Sequence, residues 1–429
     1  MGQKVMKRYP SYKDSWIEWI GQIPSHWNIK RLKYLDKTIM GQSPESTDCN
    51  KEGVGIPFLQ GNADFSGLNP MPSVWCNHPN KLAQKDDILL SVRAPVGAVN
   101  VADQTYGIGR GLCAIRPKYS HKKYSYYRAL CLLDELNRIA TGSTYTAVAV
   151  DQVNSVVVPN SAYDEQGILS NYLDRKTAQI DDLIAKKERM IGFLKEERTA
   201  IINQAVTKGL DPKVEMKDSG IEWLGKISNY WSLKKIKYVA RVNSMTLPET
   251  TENNYEFRYV DIGNVDLEEG FNIGEKINFV NAPSRARRIV RKGDTIVSTV
   301  RTYLKAIAYF ENDIKDIIVS TGFAVVAPQQ RIILKFLYYV LRSEKFIDRV
   351  CTLSVGVSYP ATNSTELSDI AVWYPEDTKE QLKIVKYLDR VVAKTKLIIS
   401  QVYSEVSLLK EYRAALVSEA VTGKIDVRG

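Results

Sequence analysis

The stretch Glu165-Gln166-Gly167-Ile168-Leu169-Ser170-Asn171-Tyr172-Leu173-Asp174-Arg175 decides the fold, because Glu380-Gln381-Leu382-Lys383-Ile384-Val385-Lys386-Tyr387-Leu388-Asp389-Arg390 repeats its frame 215 residues later. The likeness continues through Leu194-Lys195-Glu196 and Leu409-Lys410-Glu411, Arg198 and Arg413, and Ala205-Val206-Thr207 and Ala420-Val421-Thr422. In the first copy Leu169, Leu173, Ile180, Leu183, Met190, Leu194 and Ile201 recur at intervals built from three and four, which gathers them into one stripe along a helix. Ile384, Leu388, Val391, Ile398, Val402, Leu409, Tyr412 and Leu416 keep the register in the second. About 40 residues of helix rise about 60 Å, longer than a small domain is wide, so each copy reads as a spacer.

A helix with a narrow apolar stripe needs a partner. A homodimeric coiled coil would cover it, and so would the other copy in the same chain; the internal duplication favours the second. Lys176, Lys187 and Glu197 interrupt the first stripe, and Thr395 and Glu405 the second. This predicts an imperfect, specific pairing.

The duplication is not confined to the helices. Asp14-Ser15-Trp16-Ile17-Glu18-Trp19-Ile20-Gly21 reappears as Asp218-Ser219-Gly220-Ile221-Glu222-Trp223-Leu224-Gly225, and Trp27, Lys30, Lys33 and Tyr34 answer to Trp231, Lys234, Lys237 and Tyr238. Between these anchors the copies diverge but their landmarks keep order. Gln60-Gly61-Asn62 faces Ile262-Gly263-Asn264, and the run from Asp87 to Arg93 faces Asp294 to Arg301 with one residue inserted. Gly111 to Pro117 faces Gly322 to Pro328, and Gly142-Ser143-Thr144-Tyr145 faces Gly356-Val357-Ser358-Tyr359. Short apolar runs with Gly, Pro and Asn punctuation, and amphipathic helices expected over Tyr124 to Leu136 and Leu334 to Phe346, make each repeat a compact α+β domain followed by a long helix. The predicted boundaries are a first domain over 1–164, a central helical spacer over 165–210, a second domain over 211–379 and a closing helical spacer over 380–429.

A chain of 429 residues, 44% of them hydrophobic, suggests two to four globular domains. Met1 to Lys13 holds no apolar leader and no run is long enough to span a bilayer, so the expectation is a cytoplasmic protein with no membrane partner. Five scattered cysteines, never in a C-x-x-C pair, fit a reducing compartment. Cys76 and His78 are close, but with His26 and His121 as the other histidines no metal set is completed.

A net charge of +10 favours a polyanionic partner. Its placement says more: Arg285, Arg287, Arg288, Arg291 and Lys292 crowd together, Lys30-Arg31-Lys33 recurs as Lys234-Lys235-Lys237, and Lys122-Lys123 lies between Tyr119 and Tyr124. No catalytic apparatus holds together. Gly107-Ile108-Gly109-Arg110-Gly111 lacks the strand-to-helix setting of a dinucleotide loop, and Gly225-Lys226 and Gly423-Lys424 lack the rest of a phosphate loop. An Asn-Pro-Pro-aromatic segment suited to an amino-methyltransferase is absent, and Pro375 to Lys379 is a loop and cap before a helix rather than a nuclease motif. With three histidines and no evident nucleophile pairing, a hydrolase is not supported. Two diverged basic domains on rigid spacers, without chemistry of their own, predict the reading of two DNA sequences at a fixed separation.

Trp19-Ile20-Gly21-Gln22-Ile23-Pro24-Ser25-His26-Trp27, echoed from Trp223 to Trp231, and the Tyr-Leu-Asp-Arg helices at 172–175 and 387–390 resemble the specificity subunits of type I restriction-modification enzymes. The resemblance covers the whole chain, twice and in order; the second repeat departs from it at Ser228-Asn229-Tyr230. It implies an α+β fold, with two tandem α/β target-recognition domains separated by two long helices paired antiparallel about a pseudo-two-fold. It implies a non-catalytic DNA-specificity subunit that reads a bipartite, gapped site in double-stranded DNA, one half per domain. The helices would recruit two methyltransferase subunits and, through them, two restriction subunits. S-adenosylmethionine, ATP and magnesium would belong to those partners, with no cofactor or metal in this chain. The alternatives are a stand-alone DNA-binding or architectural protein without enzyme partners, and a helical scaffold whose basicity is incidental.

DNA contacts are expected at the ends of the repeated loops: Gln60, Asn62, Arg93, Thr144 and Tyr145 in the first domain, and Asn264, Arg301, Thr302, Tyr303, Ser358 and Tyr359 in the second, with Arg287 and Arg288 on phosphate. Arginine reads guanine bidentately, and glutamine or asparagine reads adenine. Other roles stay open: turn support for Asn62 and Asn264, core packing for Tyr145 and Tyr359, and pairing with acids for Arg93 and Arg301.

Overall fold

A computed structural model of the chain describes residues 7–141, 147–329 and 331–428. The chain forms two compact units, Met1–Lys187 with Ser404–Gly429, and Glu188–Tyr403. Two long helices, a central one over Tyr163–Lys208 and a closing one over Thr378–Val421, start two residues earlier than the repeat predicts. The division between units falls inside these helices and not at their ends, so each globular domain comes with part of both.

In the first unit Val99–Val101, Ile88–Ser91, Leu112–Pro117 and Asp36–Met40 lie side by side in an antiparallel sheet. A second sheet has the order Leu82–Ala83, Tyr106–Ile108, Ile56–Leu59, Val74–Cys76 and Cys49–Asn50, with Tyr106–Ile108 parallel to Ile56–Leu59. The second unit repeats the first order in full and four of the five strands of the second, without a counterpart of Cys49–Asn50 among the described residues. Its first sheet runs Ile307–Tyr309, Thr295–Ser298, Phe323–Pro328, Ala240–Val242, and its second Ala286–Ile289, Ile317–Ser320, Glu256–Val260, Lys276–Asn278, again with one parallel pair. Alternation along the strands explains why two cores form. Ile88, Leu90, Cys113 and Ile115 enter one core with Leu132, Leu136 and Val153 from the segment of short helices. Leu89, Leu112 and Ala114 face the other way, into a core with Leu59 and Ile108 from the second sheet. Ile88–Ser91 and Thr295–Ser298 are therefore buried along their whole length and read as continuous apolar runs.

Each expected short helix is a pair. Lys122–Leu130 gives way to Leu133–Ile139, and Leu334–Leu341 to Glu344–Leu353.

The repeated motif residues fasten the long helices to their domains. Trp27 is fully buried, and its indole N–H needs an acceptor, which Glu165 supplies at 3.1 Å while also accepting from the Tyr9 hydroxyl at 2.9 Å. Trp231 and Glu380 repeat the bond at 3.1 Å. Beside each carboxylate a buried glutamine bridges backbone groups. Gln166 accepts from the His121 N–H at 2.8 Å and donates to the Ser161 carbonyl at 3.0 Å. Gln381 accepts from the Ile333 N–H at 2.7 Å and donates to the Pro375 carbonyl at 2.7 Å. About two turns further on, Asp174 accepts from the Tyr127 hydroxyl at 2.8 Å and Asp389 from the Tyr339 hydroxyl at 2.6 Å.

In the first unit the two helices run antiparallel, with Arg413 donating to Asp181 at 2.7 Å and Lys187 paired with Glu405. In the second, Ile202, Ala205 and Val206 share a core with Ile384, Val385 and Leu388. The stripe read from sequence needs one correction. Leu183 and Met190 are 42% and 44% exposed and Tyr412 is 48% exposed, whereas Ile184, Ile191 and Ile202 are buried. The seam steps through Leu173, Thr177, Ile180, Ile184, Ile191, Arg198 and Ile202, close to the 3.5-residue period of packed helices. Buried Thr177 and Arg198 fall in this series, the first beside the Tyr127 hydroxyl and the second paired with Glu268, and a count restricted to apolar residues slips onto their neighbours.

Candidate nucleic-acid interface

Four chain segments meet at one edge of the first domain, each directly after a strand. Gly41 and Gln42 donate from their backbone N–H groups to Leu112 and Ile108, both at 2.9 Å. The Gly109 N–H reaches the Leu59 carbonyl at 2.8 Å, the Gly111 N–H reaches Gln60 at 3.1 Å, and the Val92 N–H reaches Gly111 at 2.9 Å. The backbone is thus fixed, and the side chains of Gln42, Gln60, Arg93 and Arg110 are exposed on it. The Gln60 amide donates to Ser43 Oγ at 2.9 Å. Asn62 is half-buried and opens the short helical turn Asn62–Asp64. Ala147 bridges both Arg93 and Thr141; Thr144 and Tyr145 lie outside the described residues.

The second domain builds the corresponding edge with different side chains. The Thr299 N–H donates to Gly322 at 2.8 Å, as Val92 does to Gly111, and the Thr362 N–H donates to Thr299 at 2.8 Å, as Val148 does to Val92 at 2.9 Å. Arg301 has φ +51°, a left-handed backbone held by its N–H bond to the Pro360 carbonyl at 2.8 Å. Non-glycine residues in this region cluster at functional sites. Its guanidinium lies 4.6 Å from the centroid of the Tyr359 ring, a cation–π contact that braces both groups. Tyr359 is 63% and Tyr303 55% exposed, and Ser358 is exposed beside them. Tyr359 is therefore a surface ring and not a core residue.

Several expected contacts have partners within their own domain. Thr302 is buried and its hydroxyl meets Ser354 Oγ at 2.8 Å, which makes it a support for the Tyr303 turn. The Asn264 side chain accepts from the Asp261 N–H at 3.0 Å and closes a capping box, the turn-support role. Arg287 stacks on Phe279 at 4.7 Å and donates to the Ala286 carbonyl at 3.0 Å. Arg288 donates to Thr246 Oγ1 at 3.1 Å, and burial pulls its guanidinium below its ordinary pKa. Both side chains already have partners within the domain.

Part of the basic charge read from sequence is already paired within the domains. Lys237 and Lys235 face Asp369 at 2.7 and 3.6 Å, Lys122 faces Asp86 at 2.7 Å and Lys123 faces Asp174 at 2.5 Å. Among the described residues the ion pairs include none of Arg93, Arg110 and Arg301. They share this with Lys30, Arg31, Lys33, Arg285 and Lys292, so positive charge is present at the two edges without being confined to them, and a polyanion could be met there. Sequence reasoning missed Gln42, Ser43 and Arg110. The available signal was the cluster of glycines at 41, 109 and 111, which a failed dinucleotide loop left unexplained.

Among the described residues no group of three or more His, Cys, Asp or Glu could hold a metal ion, and no helix is long and apolar enough to cross a membrane.

Comparison with known proteins gives a consistent result. A family model described as the type I restriction modification DNA specificity domain matches residues 24–191 and again 229–407. A putative type I restriction enzyme specificity subunit, MjaX, of Methanocaldococcus jannaschii is 36% identical over 212 residues, which are 48% of this chain and 47% of the relative. The match thus spans about half the length of that relative. The EcoDI specificity subunit of Escherichia coli is 20% identical over 423 residues, 94% of this chain and 90% of the relative. Among solved structures, a chain from a study of complex assembly and conformational transition of the type I R-M system superposes with a TM-score of 0.69 at 14% identity, covering 93% of this chain and 98% of that one. The HsdS subunit from Thermoanaerobacter tengcongensis gives 0.51 at 15% identity, with 94% and 98% covered. These likenesses carry the fold.

Proposed function

We infer the function from the premise that the chain belongs to the type I restriction-modification DNA specificity family, whose domain it carries twice. Each domain reads one half of a bipartite, gapped site in double-stranded DNA, and the chain acts as a specificity subunit without chemistry of its own. The long helices carry two methyltransferase subunits and, through them, two restriction subunits. S-adenosylmethionine, ATP and magnesium are supplied on those partners, and the assembly works in the cytoplasm, where the DNA is.

The observation that carries this reading is the duplicated edge. The same backbone bonds recur at Val92 and Thr299, while the side chains differ: exposed Arg110 against exposed Thr321, and exposed Gln60 against Ile262, which packs on the core. One framework with two sets of readers suits two unlike half-sites. Phosphate contacts set register and salt dependence, and side chains at base edges set sequence.

The test is co-expression with the methyltransferase partner in a methylation-free host, with modified adenines mapped by single-molecule sequencing. Arg301→Ala in the same assay is expected to relax one position of one half-site and leave the other half intact. In competition binding it should lose about 5- to 150-fold in affinity for the cognate duplex, the range for one good arginine–base pair. A chain that binds DNA tightly but co-purifies with no methyltransferase would favour the stand-alone binder.

A further inference from the structure

We propose that Arg110, presented on the Gly109-Arg110-Gly111 turn, is the guanine-reading residue of the first half-site, with Gln60 and Ser43 as its positioning residues. The proposal rests on the specificity reading above and names the group that executes it.

The turn is built for close approach. A Cβ on Gly41 would stand 2.2 Å from the Gly109 carbonyl oxygen, and one on Gly111 would stand 2.6 Å from the Gln60 carbonyl oxygen. Both obstacles are backbone and cannot step aside. A Cβ on Gly109 would meet the Gln60 side-chain oxygen at 2.3 Å. None of the three has a positive φ, so lack of space, and not backbone conformation, demands glycine here. Three strand ends are thereby pressed against one turn, whose only side chain is Arg110, exposed and outside the ion pairs of the described residues.

Such rigidity distinguishes a base contact from a phosphate contact. A phosphate can be met by a long basic side chain on a mobile loop. A base edge must be met in fixed register by a planar fork, which the guanidinium offers to O6 and N7 of guanine in the major groove. The Gln60 carboxamide, which donates to Ser43 Oγ at 2.9 Å, walls one side of the turn, and Val92, bonded to Gly111 at 2.9 Å, leads into exposed Arg93 on the other. Arg110 therefore sits in the middle of the edge and not on its rim. The second domain has Thr321 at this position, so the contact belongs to one half-site alone, and the other half serves as an internal control.

The experiment uses the full chain with its methyltransferase partner, as wild type, Arg110→Ala and Arg110→Lys, and maps modified adenines in a methylation-free host. The expected result is that both variants relax one guanine position of the first half-motif, by about 10- to 100-fold in discrimination, with the second half unchanged. Binding is then measured on a duplex carrying 7-deazaguanine at that position, which removes N7. Wild type should lose affinity for it and Arg110→Ala should be indifferent, a coupling that a purely structural role would not produce. A variant motif identical to the wild-type motif overturns the proposal and leaves the specificity reading standing. Recovery of the full motif by Arg110→Lys after loss in Arg110→Ala, with wild type indifferent to 7-deazaguanine, marks a phosphate contact and also overturns it. Absence of any gapped motif from the wild type overturns the specificity reading, and this inference with it.

Discussion

Arg128→Ala is expected to destabilise the first unit by about 3–5 kcal/mol, the cost of stranding one charge of a buried pair. Arg128 and Asp36 are both almost completely buried and paired, and the same guanidinium donates to Ser120 and Ser125 hydroxyls, each at 3.2 Å. Asp36 opens the strand that ends at Met40 and leads into Gly41 at the proposed reading edge. The second domain meets the same need without charge: the repeat places Ala240 opposite Asp36 and Val340 opposite Arg128, both buried. A buried ion pair can be replaced by packed apolar groups at little cost. The double variant Asp36→Ala with Arg128→Val should therefore recover to within about 1–2 kcal/mol of wild type. Urea denaturation of the three proteins checks this. A loss below about 1 kcal/mol in Arg128→Ala, or a double variant worse than the single, would contradict the account.

The second large effect concerns site geometry. The central helix passes from one unit into the other without a break at the boundary near Lys187. Four residues inserted between Lys187 and Glu188, matched by four between Ser404 and Glu405, add about one turn, or about 6 Å, to both helices. If the helices set the separation of the half-sites, the original site is lost and a new one appears with both halves unchanged and the gap longer by about two base pairs, at 3.4 Å per step. The methylation map of the insertion variant reads this out. An unchanged gap would show that something other than the helices measures it.

Much of the fold is legible in the sequence because duplication exposes what must be kept. Trp27 and Trp231, Glu165 and Glu380, and Asp174 and Asp389 recur because each fastens a long helix to its domain through a specific hydrogen bond. The exact seam is less legible, because Thr177 and Arg198 fill buried positions that hydrophobicity would leave empty. The order of the sheets is hidden too, since strands of two to six residues take their partners from tertiary packing. At the candidate interface, residue type and loop position pointed to Arg93, Arg301 and Tyr359, which the structure leaves exposed. The same signals pointed to Asn264 and Thr302, whose side chains serve the local turn. Nothing in the chemistry of asparagine or threonine separates a turn support from a base reader; only the direction of the side chain does. Arg110 was obscured for a different reason: its flanking glycines serve steric clearance between backbones distant in sequence, which local motif patterns do not encode.

The central claim is that this chain reads two unlike DNA elements with two copies of one domain. Its most direct test is the map of modified adenines made by the wild-type chain with its methyltransferase partner, supplied with S-adenosylmethionine in a methylation-free host. The account predicts a single motif of two unlike parts separated by a gap of fixed length. A continuous motif, two halves that vary independently in spacing, or no modification from an assembled complex would contradict it.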